Sequence, residues 1–250
     1  MHYGSLVLSI EDAVPPIVRA SGELDAESSR FFESILKDAL RQSPTSLDLV
    51  LADLTFVDSS GLRALVTAAI EANGSGRSLN IASMSAHLDH MLTLAGFKHL
   101  FAIGGVEQTP DEAAKPGLPL PPYSFDIPKG IGACRIVRDR VHDYAEKMGF
   151  GGNALDDIRL AIGEAMSNAI RHGAVSCENV NVRCENRSQR LIVTLRYPSA
   201  EFDPSAIPIP TYSTAAEGGM GIYFMKLVMD EVVYEFLEGS TVLTLEKAMA

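Results

Sequence analysis

The sequence predicts two α/β domains joined by a proline-rich linker. In the first half, short apolar runs alternate with helical stripes, and in the second half paired alternating runs follow two helical stripes. A group of prolines separates the halves. At 250 residues the chain is long enough for two domains of about 100 to 150 residues each. We place the domains at 1–106 and 123–250 and the linker at 107–122.

The first half alternates strands with helices. Strands are predicted at Ile17 to Leu24, Leu47 to Leu54 and Leu79 to Ala82, because these runs are short, apolar and rich in branched residues. Three helices are predicted, because apolar residues recur at helical spacing in three segments. Their inward stripes are Phe32, Ile35, Leu36, Ala39 and Leu40 in the first helix; Leu62, Leu65, Val66, Ala69 and Ile70 in the second; and Leu88, Met91, Leu92 and Ala95 in the third. The second helix should end near Gly74, and Gly96 should cap the third. This alternation predicts a sheet flanked by helices.

The second half predicts a helical pair and a sheet built from hairpins. The runs around residues 180–184 and 191–195 alternate apolar with polar residues, as half-buried antiparallel strands require, and the runs at 232–237 and 241–246 indicate a hairpin over Gly239. The remaining elements in chain order are a strand at Tyr123 to Ile127, a helix from Cys134 to Met148, a second helix, an irregular stretch from Pro198 to Glu217, and a helix from Ile222 to Met229. The second helix should be capped by Asn153, and its core stripe is Leu155, Ile158, Ile162, Met166 and Ala169.

Charge and hydropathy exclude several classes of function. The chain carries 21 Lys and Arg against 32 Asp and Glu, a net charge of −11, which argues against a mainly electrostatic grip on nucleic acid or anionic lipid. No apolar run approaches the roughly 20 residues that span a bilayer, and the N-terminus lacks a basic segment followed by a hydrophobic core. We therefore expect a cytoplasmic protein with protein partners.

The first candidate site is the turn Phe56-Val57-Asp58-Ser59-Ser60-Gly61-Leu62. A buried strand meets a helix here, so we expect the turn to be exposed at the carboxyl edge of the sheet, where the helix N-terminus favours a phosphate. A serine at this place also commonly caps the helix. Ser60 can serve as that cap, which leaves Ser59 free.

This turn resembles that of the STAS domain of anti-sigma factor antagonists. Gly22-Glu23-Leu24-Asp25 and the segment from Phe56 to Leu62 both stand where that family has them, and the resemblance covers roughly residues 3 to 106. It implies that Ser59 is a regulatory phosphorylation site. Phosphate there would meet Asp58, and such like-charge crowding can switch a partner on or off.

The second candidate site is a polar helix face in the second half. Glu164 and Asn168 are four residues apart, so they share a face with Asp157, Ala161 and Arg171 that points away from the apolar stripe. A carboxylate placed this way can accept a hydroxyl proton, and an amide oxygen beside it can help to hold Mg²⁺. The same pair also occurs on ordinary solvated faces.

The combination with a later glycine-rich segment resembles the GHKL ATPase superfamily, and within it the anti-sigma factor serine kinases. The match runs over Glu164 to Gly173 and over Gly218-Gly219-Met220-Gly221-Ile222, and covers roughly residues 123 to 247. It implies a Bergerat-type α/β sandwich that uses ATP and Mg²⁺. Glu164 would be the general base, Asn168 the Mg²⁺ ligand, and the segment Gly218, Gly219, Met220 and Gly221 the phosphate loop, where glycine lets the backbone approach closely.

One departure from that family concerns the purine. The family has an aspartate after its third strand, where the carboxylate accepts the adenine amino group, followed by two glycines. Here Tyr197 stands in the aspartate position, and Ser199 and Glu201 replace the glycines. Either Tyr197 stacks on the purine in compensation or the pocket has decayed.

Two hypotheses follow from the two resemblances. In the first, the chain is a fused partner-switching regulator of bacterial transcription, a homodimer whose kinase half phosphorylates Ser59 in cis or in trans and otherwise engages a sigma factor or another STAS or anti-sigma protein. In the second, it is a non-catalytic scaffold with a degenerate nucleotide pocket. Fusion would hold enzyme and acceptor at an effective concentration near the millimolar range.

Overall fold

A computed structural model describes residues 1–43, 45–107, 120–173, 178–200, 203, 220–237 and 239–249. These residues form two compact units, one up to residue 107 and the other from residue 120 onward. Most of the linker predicted at 107–122 lies outside the described residues, so the domain boundaries stay a prediction. In the described part of the chain, helices that are both long and apolar enough to cross a bilayer are absent.

The first unit is a mixed sheet with helices packed against it. Its elements are β1 (His2–Tyr3), β2 (Leu6–Glu11), β3 (Ile17–Leu24), α1 (Ser29–Gln42), β4 (Ser46–Leu51), β5 (Leu54–Val57), α2 (Ser59–Gly74), β6 (Ser78–Ser85), α3 (Ala86–Leu94), β7 (Ala102–Ile103) and β8 (Val106–Glu107). The sheet order is β1-β2-β3-β4-β6-β7, with β5 paired to β3 and β8 paired to β6. The predicted alternation of strands and helices is confirmed.

Strand β3 changes its pairing partner from β4 to β5 just before the serine turn. The first part of β3 pairs in parallel with β4, and from Gly22 onward β3 pairs in parallel with β5, with a register shift at Gly22/Glu23. Gly22 has a φ of +91°, and a Cβ there would fall 2.0 Å from the Ser5 carbonyl oxygen, so only glycine fits. The strand predicted from Leu47 to Leu54 is therefore broken into β4 and β5, because the chain turns to reach the other half of β3.

The second unit is a two-layer sandwich of helices on an antiparallel sheet. Its elements are β9 (Tyr123–Pro128), α4 (Ala133–Met148), α5 (Gly152–His172), β10 (Asn179–Arg187), β11 (Arg190–Pro198), α6 (Met220–Val228), β12 (Glu231–Leu237) and β13 (Ser240–Ala248). The sheet order is β12-β13-β11-β10-β9, and every neighbouring pair is antiparallel. Helix α5 packs between α4 and α6 and against β11 and β13.

The predicted elements of the second unit are present, with one correction. Helix α5 begins at Gly152 with Gly151 as its N-cap, so Asn153 lies inside the first turn and does not cap the helix. Because Gly151 has an extended backbone and is the cap, the helix begins two residues earlier than a cap at Asn153 would place it. Most of the irregular stretch predicted at 198–217 lies outside the described residues.

Candidate functional site

Asp58 caps the helix that carries the serines. Its Oδ1 accepts hydrogen bonds from the backbone N–H groups of Ser60 at 2.8 Å and Gly61 at 3.0 Å, so Ser59 and Ser60 are the first two residues of α2. The prediction that Ser60 is the cap is wrong. The Asp58 carboxylate, two residues earlier, already accepts the hydrogen bonds from the backbone N–H groups that a cap must satisfy. Ser59 thus lies at the very N-terminus of the helix.

The second oxygen of Asp58 ties this turn to the end of β3. Oδ2 accepts a hydrogen bond of 3.0 Å from the N–H of Ala26, and the N–H of Asp58 donates to the Leu24 carbonyl at 3.2 Å. At Gly61 a Cβ would lie 2.3 Å from the same Leu24 oxygen, so the backbones are in close contact. Ser59 is only 8% exposed. The predicted exposure is therefore wrong, because the β3–α1 turn packs against the serine turn.

Buried carboxylates surround the serine turn. Burial raises the pKa of Asp58 to about 6, and repulsion from Asp25 adds to the rise, while the hydrogen bonds from Gly61, Ser60 and Ala26 oppose it. Asp25 is itself buried. A phosphate added beside these groups would be strongly repelled by their negative charge. A single phosphorylation would therefore change the electrostatics of this turn considerably.

His87 on α3 contacts the residues before this turn, and no sequence pattern indicated that contact. The ring Nε2 lies 2.9 Å from the Val57 carbonyl oxygen, and the ring stacks on Phe56 at 5.6 Å between centroids. It therefore contacts the last two residues of β5, directly before Asp58. Thirty residues separate His87 from Val57, so only the fold brings them together.

In the second unit, the polar face of α5 packs against α6. Glu164 is 3% exposed, although the sequence placed its face away from the core. At Gly221, the second residue of α6, a Cβ would fall 2.4 Å from Oε2 of Glu164. The missing Cβ of Gly221 thus makes room for the Glu164 carboxylate, which was not foreseen.

The side chain of Asn168 lies next to Glu164 and to the phenol of Tyr234 on β12. Burial raises the pKa of Tyr234 well above its usual range, the neighbouring Tyr197 and Glu164 raise it further, and the nearby Asn168 amide opposes the rise. Glu164, Asn168, Tyr197 and Tyr234 thus form one cluster at the junction of α5 and the sheet. Tyr234 is a site residue that sequence reasoning missed.

Tyr197 is buried where the resemblance placed the purine anchor. It is 1% exposed on β11 and stands opposite Thr241 on β13. Ser199 lies beside Thr241, with 2.5 Å between their hydroxyl oxygens, and both are buried. Thr241 was not predicted as a site residue, although it lies just after Gly239 in the predicted hairpin. Whether Tyr197 stacks on a purine stays a prediction.

The phosphate loop is described only at its end. Gly218 and Gly219 lie outside the described residues, whereas Met220 and Gly221 are the first residues of α6 and are buried. A carboxylate and an amide oxygen one helical turn apart are oxygen donors of the kind that Mg²⁺ prefers, and the missing Cβ of Gly221 lets the Glu164 carboxylate lie against the start of α6. The residues present therefore fit the metal that the resemblance implies.

The fold of the two units and the pair Glu164 and Asn168 on α5 agree with one class of protein: a histidine kinase-like ATPase domain that follows a STAS domain. Residues 128–247 match the family described as histidine kinase-like ATPase domain, and residues 10–103 match the Mlab STAS domain family.

Curated relatives narrow the class. The chain is 35% identical over 118 residues to the serine-protein kinase RsbW of Bacillus velezensis, which covers 43% of this chain and 73% of that protein. RsbW of Bacillus subtilis is 32% identical over 117 residues, with the same coverage of 43% and 73%. The chain therefore belongs to the RsbW serine-protein kinase family, whose ATPase-type kinase domain it carries after a STAS domain.

Solved structures show weaker likeness. An anti-sigma factor antagonist from Mycobacterium paratuberculosis aligns with a TM-score of 0.36 at 23% identity, covering 40% of this chain and 85% of that one. A score at this level carries no conclusion about function.

Proposed function

We propose that the chain is a fused partner-switching regulator of bacterial transcription. Its second domain binds ATP with Mg²⁺ and transfers the γ-phosphoryl group to Ser59 of the STAS domain, within one chain or between the chains of a homodimer. The observation that carries this proposal is the buried carboxylate of Glu164 beside Gly221 at the start of α6.

The transfer needs a base, an acceptor and charge neutralisation. Glu164 accepts the proton of the Ser59 hydroxyl while the Ser59 oxygen forms a bond to the γ-phosphorus of ATP. The bond between that phosphorus and the oxygen bridging it to the β-phosphate breaks, so that ADP leaves. Asn168 would help to hold Mg²⁺, which supplies neutralisation of the phosphate charge. Because Ser59 is 8% exposed, the turn must open for its hydroxyl to be in line with the phosphate.

Loss of the family's carboxylate weakens the expected nucleotide affinity without abolishing it. One hydrogen bond to a charged acceptor contributes about 1.5 to 3 kcal/mol, so its loss weakens binding roughly ten- to a hundredfold. Among the described residues, the hydroxyls of Ser199 and Thr241 and the phenol of Tyr197 are polar groups at this place. We expect a dissociation constant for ATP that is still compatible with millimolar cellular nucleotide.

Labelled ATP tests the proposal directly. The full chain is incubated with γ-labelled ATP and Mg²⁺, and the labelled residue is located by peptide mass spectrometry. We expect label on Ser59 in the natural chain, none in Ser59→Ala, and little in Glu164→Gln. Ser60→Ala is the matched control, because it keeps the backbone N–H that donates to Asp58. Label that persists in Ser59→Ala, or no label at all, contradicts the proposal.

A second candidate function is a non-catalytic scaffold, and the burial of Tyr197 favours it. Tyr197 is 1% exposed, and a buried phenol at the position where the resemblance expects the purine anchor would occupy space that the purine needs. Calorimetry with ATP and Mg²⁺ separates the candidates. Binding heat supports the kinase, and its absence at millimolar nucleotide supports the scaffold.

Partners and location follow from the same proposal. We propose that the chain acts in the cytoplasm on protein partners, with a sigma factor among them, and its net charge of −11 disfavours direct binding to nucleic acid. Phosphorylation of Ser59 would change which partner is held. Co-purification of a sigma factor with Ser59→Ala but not with the phosphorylated chain tests the partner.

A further inference from the structure

Lys247 joins three elements of the second unit through its ammonium group. From β13 it donates a hydrogen bond of 3.0 Å to Oδ2 of Asp157, in the first turns of α5, and another to the carbonyl oxygen of Val228, the last residue of α6. The Lys247 and Asp157 side chains are 17% and 15% exposed. An ion pair shielded to this degree is much less screened than a surface pair, and loss of one partner leaves a poorly solvated charge.

The other end of α6 lies against Glu164. Gly221 stands so close to the Glu164 carboxylate that a Cβ would be 2.4 Å from Oε2. Asp157 and Glu164 are seven residues apart on α5, and Gly221 and Val228 are seven residues apart on α6, about 10.5 Å of helix in each case. The two helices therefore run antiparallel in this region with matched contacts at both ends.

We propose that Lys247 is a positioning residue for Glu164. By fixing the C-terminal end of α6 to α5, it sets where the N-terminal end of α6 lies against the carboxylate, and so how that carboxylate meets the acceptor hydroxyl. This inference rests on the kinase activity proposed above. A misplacement of about 1 Å can lower a rate about a hundredfold, so loss of this contact is expected to reduce turnover even though Lys247 contacts neither ATP nor acceptor in this scheme.

A purely stabilising role predicts a different result. In that case Lys247→Met would lower the melting temperature, but the folded fraction would still phosphorylate Ser59 at the normal rate. Turnover measured well below the melting temperature, together with the KM for ATP, therefore separates the two roles. Lys247→Arg keeps the positive charge and a donor, and Lys226→Met removes a lysine from the exposed side of α6 as a matched control.

The experiment follows initial rates of Ser59 labelling in the full chain, at a temperature where circular dichroism shows every variant folded. We expect Lys247→Met to lower kcat at least tenfold with KM for ATP within threefold of the natural value. Lys247→Arg should be at least three times faster than Lys247→Met, and Lys226→Met should stay within twofold of the natural chain. A smaller decrease in Lys247→Met, or no recovery in Lys247→Arg, overturns the proposal.

Hydrogen exchange of the α6 amides gives a readout that needs no activity. We expect exchange at residues 221–228 to be at least tenfold faster in Lys247→Met, and Asp157→Asn to act likewise if Lys247→Met does not fold. Unchanged exchange in the variant that folds overturns the positioning role. If the natural chain does not label Ser59, the proposed kinase function fails, and the exchange result still decides whether Lys247 fixes α6.

Discussion

The contact between Gly221 and Glu164 allows a strict test of the second unit. Gly221→Ala adds one methyl group at the second position of α6, and the structure places that carbon 2.4 Å from Oε2 of Glu164. Ordinary contacts between such atoms begin near 3.4 Å, so about 1 Å of overlap must be relieved. The obstacle is the end of a buried side chain, which is 3% exposed, so the carboxylate moves before the backbone does.

Two free-energy contributions to stability oppose each other in this variant. Alanine in place of glycine favours a helix by about 1 kcal/mol, whereas overpacking of a filled site costs about 1 to 3 kcal/mol. We therefore expect the free energy of unfolding to fall by at most about 2 kcal/mol. Displacement of the carboxylate by about 1 Å should lower the rate of Ser59 labelling about a hundredfold.

The assay measures labelling rate and chemical unfolding side by side in the full chain. Gly74→Ala is the matched control, since Gly74 is also helical but has no atom within 4 Å of a Cβ placed on it. It should keep the natural labelling rate, and its free energy of unfolding should equal the natural value or exceed it by up to about 1 kcal/mol. A Gly221→Ala chain that labels Ser59 at the natural rate would refute the proposed contact between this glycine and a working base.

Three further predictions concern the first unit. Asp58→Ala should lower its free energy of unfolding by about 1 to 3 kcal/mol in urea titrations, because the cap and the bond to Ala26 are both lost. The pKa of Asp58 is raised to about 6 in the folded state. Between about pH 4 and 6 the folded state therefore holds a proton that the unfolded state has released, so the free energy of unfolding should fall by up to about 3 kcal/mol over that range. Asp58→Asn should lack that slope, and an equal slope in the variant would assign it to other groups. Gly22→Ala should cost at least about 2 kcal/mol, since φ is +91° and the new carbon would meet the Ser5 carbonyl oxygen, and an unchanged melting temperature would contradict the bulge geometry.

Sequence reasoning succeeded where the signal was local. Strand β3 begins and ends where the apolar run does, and α2 ends at Gly74 as its stripe indicated. These elements are set by side-chain periodicity within one segment, which the sequence displays directly. The break between β4 and β5 was missed because it depends on which part of β3 each of these strands pairs with.

The sites were predicted in part for the same reason. Glu164 and Asn168 share a helix face by spacing alone, but the sequence does not show that α6 covers that face and that Gly221 abuts the carboxylate. Likewise, the burial of Ser59 depends on a turn that contacts Asp58 across 32 residues of sequence. Contacts of this kind follow from strand pairing and helix packing, and no local pattern encodes them.

Whether the chain phosphorylates itself on Ser59 can be decided by intact-mass spectrometry of the full chain after incubation with ATP and Mg²⁺. We expect the mass of one added phosphoryl group in the natural chain, its location on Ser59 by fragmentation, and its loss in Glu164→Gln. An unchanged mass at millimolar ATP, or full modification in Glu164→Gln, would contradict this expectation.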